Sequence, residues 1–294
     1  MSGIKNRQVE YKIEEGYISI ARKDDFDLEK IRDSGQCFRL FNVGSGPGDR
    51  ENFLLIALGK ILRLSQDREK VYFECDEGDF KKLWIDYFDL ETDYKSIREK
   101  ICGDSDPFLY DAANFGKGIR ILKQDPWETL ITFIISQRKN IPAIQKAVSL
   151  ISYCAGQLIG RDNEGKAIYS FPSPKEMAKM TDEDYGLCKL GYREKYVRAA
   201  VSDMLAGKRS LEALEGLENN ELDLALREFY GVGKKISDCV SLFAYHRLSN
   251  CPMDVWMKKV EEEYYQGSLD LQAHHPFQGL MQQYLFYYIR RFPL

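Results

Sequence analysis

A lysine just past a glycine bend is the first group in this chain that could do chemistry. It is Lys235, in the stretch YGVGKKISDC from Tyr230 to Cys239. A lysine amine attacks carbon only when uncharged, and burial together with neighbouring cationic or dipolar charge favours that form. A second group is Asp254, in CPMDVWMKKV. A carboxylate at a helix start could stabilise positive charge developing on a sugar. Each has a plainer reading. Lys235 is one of 42 lysines and arginines and could simply be solvated, and Asp254 could be an ordinary helix N-cap. The bend itself is Gly231-Val232-Gly233. Glycine closing a helix can take the left-handed C′ conformation, and a second glycine leaves the N–H groups of the next helix uncovered. A phosphate docks at such a positive helix end. A helix-hairpin-helix of this kind grips a DNA backbone without reading bases, whereas an αα-hairpin with a glycine turn need bind nothing. Lys235 and Cys239, four residues apart, share a helix face.

The elements that must position these groups fall into two parts. Residues 1–75 are β-rich: 17–21, 36–43, 52–58, 60–65 and 70–75 are short segments rich in β-branched and aromatic residues, separated by turn clusters such as GSGPGDREN. Helical spacing begins near Asp79 and returns at 93–102. From Asp125 onward the pattern is helical almost throughout, beginning with Asp125 as N-cap and Pro126 at the first helical position. Helices are expected from 142 to 150 and at 174–181, 182–189, 193–206, 220–229, 234–247, 255–265 and 276–291. The expectation is an α+β chain: an antiparallel β-sheet domain with helices at 1–118, then a mainly α-helical domain at 119–294 that contains the helix-hairpin-helix at 220–247.

Bulk composition limits the function classes. The 294 residues are 44% hydrophobic and 30% charged, as in an ordinary globular protein. No apolar run is long enough for a membrane helix, and the N-terminal MSGIKNRQVEYKIEEG lacks the apolar core of a signal peptide. The seven cysteines show no C-x-x-C spacing, which argues against zinc or an iron–sulfur cluster and for reduced thiols in a cytosol-like compartment. Net charge is −4, but basic pairs at Arg138-Lys139, Lys234-Lys235, Lys258-Lys259 and Arg290-Arg291 could still form a local patch.

The segment 226–260 resembles the helix-hairpin-helix DNA glycosylase superfamily, and most closely its 8-oxoguanine DNA glycosylase/AP lyase branch. The family pattern of glycine hairpin, catalytic lysine and Pro-Val-Asp reads here Gly231-Val232-Gly233, Lys235 and Pro252-Met253-Asp254. Ser34-Gly35-Gln36-Cys37-Phe38-Arg39 resembles the family's Ser-Gly-Gln-x-Phe-Arg loop, and Asp125-Pro126-Trp127-Glu128 the start of its long central helix. Leu190-Gly191-Tyr192-Arg193 resembles its wedge, and QQYLF at 282–286 its base-pocket helix. The resemblance implies that a flipped 8-oxoguanine nucleotide is attacked at C1′ by Lys235, with Asp254 balancing charge, followed by a Schiff base and β-elimination. It implies that Gly35 offers its carbonyl to the N7–H that distinguishes the lesion from guanine. Cys239 and Phe286 would sandwich the base and Gln282 would pair with its Watson–Crick edge. Tyr192 would wedge into the vacated stack, Arg193 would contact the opposite base, Arg138 would fill the gap, and Gly231, Val232 and Gly233 would hold the DNA backbone. The implied partner is double-stranded DNA containing 8-oxoguanine. No metal or cofactor is called for, and a cytoplasmic, nucleoid-associated monomer is expected.

Other readings are separable on sequence. Alkyl-base glycosylases of the superfamily lack the lysine, and endonuclease III-type enzymes carry a four-cysteine cluster; a non-catalytic DNA-binding hairpin needs neither. Three departures from eukaryotic members stand out, at 143, 256 and 289, and the last two point to a bacterial or archaeal branch. Ala143 replaces an arginine that helps read the opposite cytosine, Trp256 a phosphate-contacting histidine, and Ile289 an aspartate near the pocket. A side chain without donors at 143 implies relaxed opposite-base preference.

Overall fold

The computed structural model describes residues 8–22, 25–102 and 106–292, so the first seven residues of the stretch read for a signal peptide lie outside it. The described residues form two compact units. One comprises the chain up to Leu54, Leu62–Lys123 and His246 onward; the other comprises Leu55–Ile61 and Gln124–Tyr245. A single boundary at 118/119 does not reproduce this grouping, because the last segment of the chain returns to the first unit.

The antiparallel sheet, six-stranded among the described residues, runs β1 (Tyr11–Glu14), β2 (Tyr17–Ala21), β3 (Leu40–Ser45), β4 (Glu51–Ala57), β5 (Lys60–Gln66) and β6 (Lys70–Glu74), in the spatial order β1-β2-β6-β5-β4-β3. Phe73 on the central β6 lies opposite Ile18 on one side and Leu64 on the other. All three side chains are buried, and Phe73 meets Phe80 and Phe88 edge-on at 5.2 and 5.5 Å. Burying an aromatic of this size is worth about 2–3 kcal/mol. The helical stretch at 77–87 that carries Phe80 follows the expected spacing, whereas helices Leu28–Asp33 and Pro107–Phe115 were not expected. The C-terminal helix Gln278–Arg291 packs on Pro107–Phe115, where Tyr287 stacks on Phe115 at 5.4 Å. That aromatic contact is what brings the end of the chain back to the first unit.

In the second unit, Asp125 caps the helix Pro126–Ser136 by accepting the Glu128 N–H at 2.8 Å. Trp127 and every residue from Thr129 to Ile135 are buried, so this is a core helix rather than a surface one. Phe133 stacks on Phe243 at 5.5 Å, fixing it against the helix Lys234–Phe243. A two-stranded ribbon of β7 (Leu158–Arg161) and β8 (Ala167–Tyr169) interrupts the region read as helical.

Candidate active site

The hairpin joins Asn219–Arg227 to Lys234–Phe243. Gly231 has φ +87, and a Cβ there would lie 2.4 Å from Cγ of Tyr196, so both the backbone and the ring above it demand glycine. Buried Val232 anchors the bend, its N–H donating to the Phe229 carbonyl at 3.0 Å. Gly233 is the N-cap, in extended conformation and with no side chain to cover the helix start. That leaves backbone donors and the positive dipole end at the surface.

The two adjacent lysines differ. Lys234 reaches Asp238 at 2.7 Å and Asp223 at 3.5 Å. Burial pulls its proton affinity down, but the Asp238 hydrogen bond and the two carboxylate charges outweigh it and hold the pKa above the usual lysine value. Lys235 is half-buried, with Nζ 5.4 Å from the centre of the Phe133 ring. Cys239, one turn on, is buried.

Around this helix start lie the other second-unit positions. The central helix ends at Gln137, and the chain turns through Arg138, exposed, at φ +51. Ala143 sits in the first turn of Ile141–Ala155, its N–H capped by Asn140 at 3.0 Å. Tyr192 is 46% exposed. Arg193 is buried, and its guanidinium donates to the Gln137 carbonyl through Nε at 2.6 Å and through Nη2, and to the Leu190 carbonyl through Nη1 at 3.1 Å. These bonds use three of the five guanidinium N–H groups.

The remaining candidates belong to the first unit. Gly35 has φ +78 and lies in a loop, not in the strand expected from 36, because Gln36 points inward and is fully engaged. Its Nε2 donates to Ser34 Oγ at 2.9 Å and to the Arg120 carbonyl at 2.7 Å, and its Oε1 accepts the Leu122 N–H at 2.8 Å. Buried Arg120, which no motif singled out, in turn donates to the Asp89 carbonyl at 2.7 Å and faces the Tyr94 ring at 4.5 Å. Asp254 caps the helix Val255–Glu263, with Oδ1 accepting the Met257 N–H at 2.9 Å. Gln282 is buried, its Oε1 accepting from Gln283 at 2.9 Å. Phe286 is half-buried beneath the Arg290 guanidinium, 5.1 Å from the ring centre. Arg290 and Arg291 donate to Asp33 at 3.1 and 2.5 Å, which ties the Phe286 helix to the segment leading into Gly35. Ile289, in place of the family's aspartate, is fully buried, while Trp256 is 36% exposed.

Comparison with known proteins decides the family. The structure of Clostridium acetobutylicum 8-oxoguanine glycosylase/lyase in complex with double-stranded DNA containing cytosine opposite 8-oxoguanine matches at TM-score 0.86 and 33% identity, over 98% of this chain and 99% of that one. The chain belongs to the 8-oxoguanine DNA glycosylase/lyase family. Residues 18–130 match the family described as 8-oxoguanine DNA glycosylase, N-terminal domain. The structure of MBOgg1 in complex with a low-affinity DNA ligand matches at TM-score 0.89 and 31% identity, over 98% and 100% of the two chains. The N-glycosylase/DNA lyase of Saccharomyces cerevisiae is 28% identical over 270 residues, which are 84% of this chain and 70% of that protein. A 3-methyladenine DNA glycosylase from Archaeoglobus fulgidus shares the fold at TM-score 0.69 with only 18% identity. Membership in the family establishes an N-glycosylase/DNA lyase on an α+β framework. Among the described residues no helix is long and apolar enough to cross a membrane.

Proposed function

We propose that this glycosylase/lyase excises 8-oxoguanine from duplex DNA with Lys235 as nucleophile. The observation that carries the assignment is the division of labour between the two lysines: Lys234 is held by Asp223 and Asp238, while Lys235 shares a face with buried Cys239 at a helix start suited to a phosphate. The damaged nucleotide leaves the stack, because the glycosidic carbon is out of reach inside it. Tyr192 wedges into the gap, and the Gly231-Val232-Gly233 bend holds the backbone through main-chain N–H groups. The Lys235 nitrogen forms a bond to C1′ as the C1′–N9 bond breaks, and the base departs with that electron pair and takes up a proton. Asp254 stabilises the positive charge that builds on the sugar. Ring opening gives a Schiff base, loss of a C2′ proton follows, and the 3′ phosphate leaves by β-elimination.

Selectivity rests on Gly35, whose carbonyl accepts from the lesion's N7–H but meets a lone pair on guanine, a difference of roughly 1–3 kcal/mol. Cys239 and Phe286 flank the base and Gln282 reads its Watson–Crick edge. Ala143 cannot donate a hydrogen bond to the opposite base, so preference for cytosine is relaxed; Arg138, on its exposed left-handed turn, supplies a partial substitute. The enzyme acts as a monomer.

Borohydride trapping on an 8-oxoguanine·C duplex tests the assignment. A covalent adduct is expected with wild type and with Lys234→Gln and none with Lys235→Gln. An adduct that survives Lys235→Gln overturns the nucleophile, and a wild type that neither traps nor releases base overturns the enzyme reading in favour of a DNA-binding module. Excision rates with each base opposite test the specificity; a cytosine preference above about a thousandfold contradicts relaxation.

A further inference from the structure

The buried Arg193 guanidinium lies at a junction. Nε and Nη2 hold the Gln137 carbonyl, the first main-chain acceptor beyond the central helix, and Nη1 holds the carbonyl of Leu190. The Gln137 side chain continues the connection, its Nε2 donating to the Ile134 carbonyl at 3.0 Å and to the Gly231 carbonyl at 3.4 Å. A second tie spans the same two turns, from Lys139 Nζ to the Lys189 carbonyl at 3.1 Å. The Tyr192 ring rests against the guanidinium, 4.5 Å from Cζ. Both turns contain residues in the left-handed region, which is uncommon outside glycine: Arg138 at φ +51 and Lys189, the C-cap of Asp182–Cys188, at φ +51.

We infer that Arg193 is a positioning residue: it clamps the turn after the central helix to the wedge turn, and through the Gln137 side chain the clamp extends to the hairpin. Wedge, gap-filling turn and phosphate-binding bend are thereby set in one geometry before DNA arrives. The guanidinium does this through backbone carbonyls, so this positioning does not depend on which base lies opposite the lesion. This rests on the excision activity proposed above and gives Arg193 a positioning part in addition to the contact implied by the family resemblance.

Two measurements separate the inference from its rivals. The first needs no DNA: amide exchange of Val232 in the free protein. Both Arg193→Ala and Gln137→Ala should accelerate it, and Arg193→Lys less, because an ammonium can still reach one carbonyl. Gln137→Ala keeps the main-chain carbonyl and removes only the hairpin link, so it remains informative if Arg193→Ala fails to fold. The second is excision with C, A, G and T opposite. Arg193→Ala should slow all four by one common factor, on the order of ten- to a hundredfold for loss of charge-assisted bonds. Tyr192→Ala should then cost much less in the Arg193→Ala background than in wild type, a non-additivity that general destabilisation does not produce. A loss confined to one opposite base means that Arg193 reads that base, and Val232 exchange unchanged in both alanine variants means that the clamp does not reach the hairpin; either overturns the inference. A wild type without excision would instead sink the proposed function and leave the exchange result standing.

Discussion

Replacing Gly231 by alanine is the sharpest test of how the hairpin is built. Two separate costs fall on the new methyl group. The backbone sits at φ +87, where an L side chain costs roughly 1–2 kcal/mol. The Cβ would also stand 2.4, 2.6 and 2.7 Å from three atoms of the Tyr196 ring, far inside van der Waals contact. Relieving such overpacking typically costs about 1–3 kcal/mol. That ring is not free to retreat at will, because it meets Tyr192 and Tyr230 edge-on at 6.0 and 4.9 Å. The sum, about 2–5 kcal/mol, is local to the bend and is best read locally. The Val232 N–H, bonded to the Phe229 carbonyl at 3.0 Å, should exchange at least about 30-fold faster in Gly231→Ala. In a Tyr196→Ala background the steric part disappears and only the backbone part remains, so the same substitution should cost about half as much or less. An unchanged exchange rate in Gly231→Ala, or an equal penalty with and without the Tyr196 ring, would refute this account of why glycine is required there.

Other consequences are more direct. Asp25 and Arg98 form a buried pair, Oδ2 to Nε at 2.5 Å with side chains 1% and 9% exposed, so Asp25→Asn should destabilise the first unit by about 3–5 kcal/mol in a denaturation experiment. Gln36→Ala strips partners from the Arg120 carbonyl and the Leu122 N–H, and should both lower the melting temperature and erode discrimination between 8-oxoguanine and guanine as the Gly35 loop loosens. The Asp89 carboxyl is pushed upward by burial but more strongly downward by hydrogen bonds from His246, Thr92 and Tyr94, for a net depression. Its stabilising contribution is therefore complete above the unfolded carboxylate pKa of roughly 4 and is lost as pH falls through the lower folded value; the stability gap between wild type and Asp89→Asn, followed by melting against pH, should be constant near neutrality and narrow below roughly pH 4.

What the sequence announced was mostly local. The Asp125-Pro126 helix start, the glycine bend and the strands at 17–21 and 70–75 are dictated by caps, φ preferences and residue shape within a few positions, and they stand where those rules put them. Failures arise where distant partners decide. The pattern at 36–39 looks like strand, yet Gln36 turns inward to serve carbonyls and amides in the 120–122 segment, and the strand begins only at Leu40. The β7–β8 ribbon was invisible because LIGR and AIY are too short to show a period. No spacing rule could tell that the chain end returns to the first unit by stacking Tyr287 on Phe115. Within the site, the resemblance pointed to Lys235, and the geometry adds what no motif shows: that Lys234 beside it is held by carboxylates and that Arg193 bonds the Gln137 carbonyl.

The carboxylates that hold Lys234 also bear on how the protein meets undamaged duplex. A cation already matched by Asp223 and Asp238 displaces no counterion from the DNA, and each phosphate contact made by a neutral backbone amide in its place removes about 0.9 from the slope of log affinity against log salt. On the proposed grip through the main chain, a chain with formal net charge −4 should therefore lose little hold on DNA as ionic strength rises, which suits a search carried out by brief, weak encounters rather than by tight electrostatic capture.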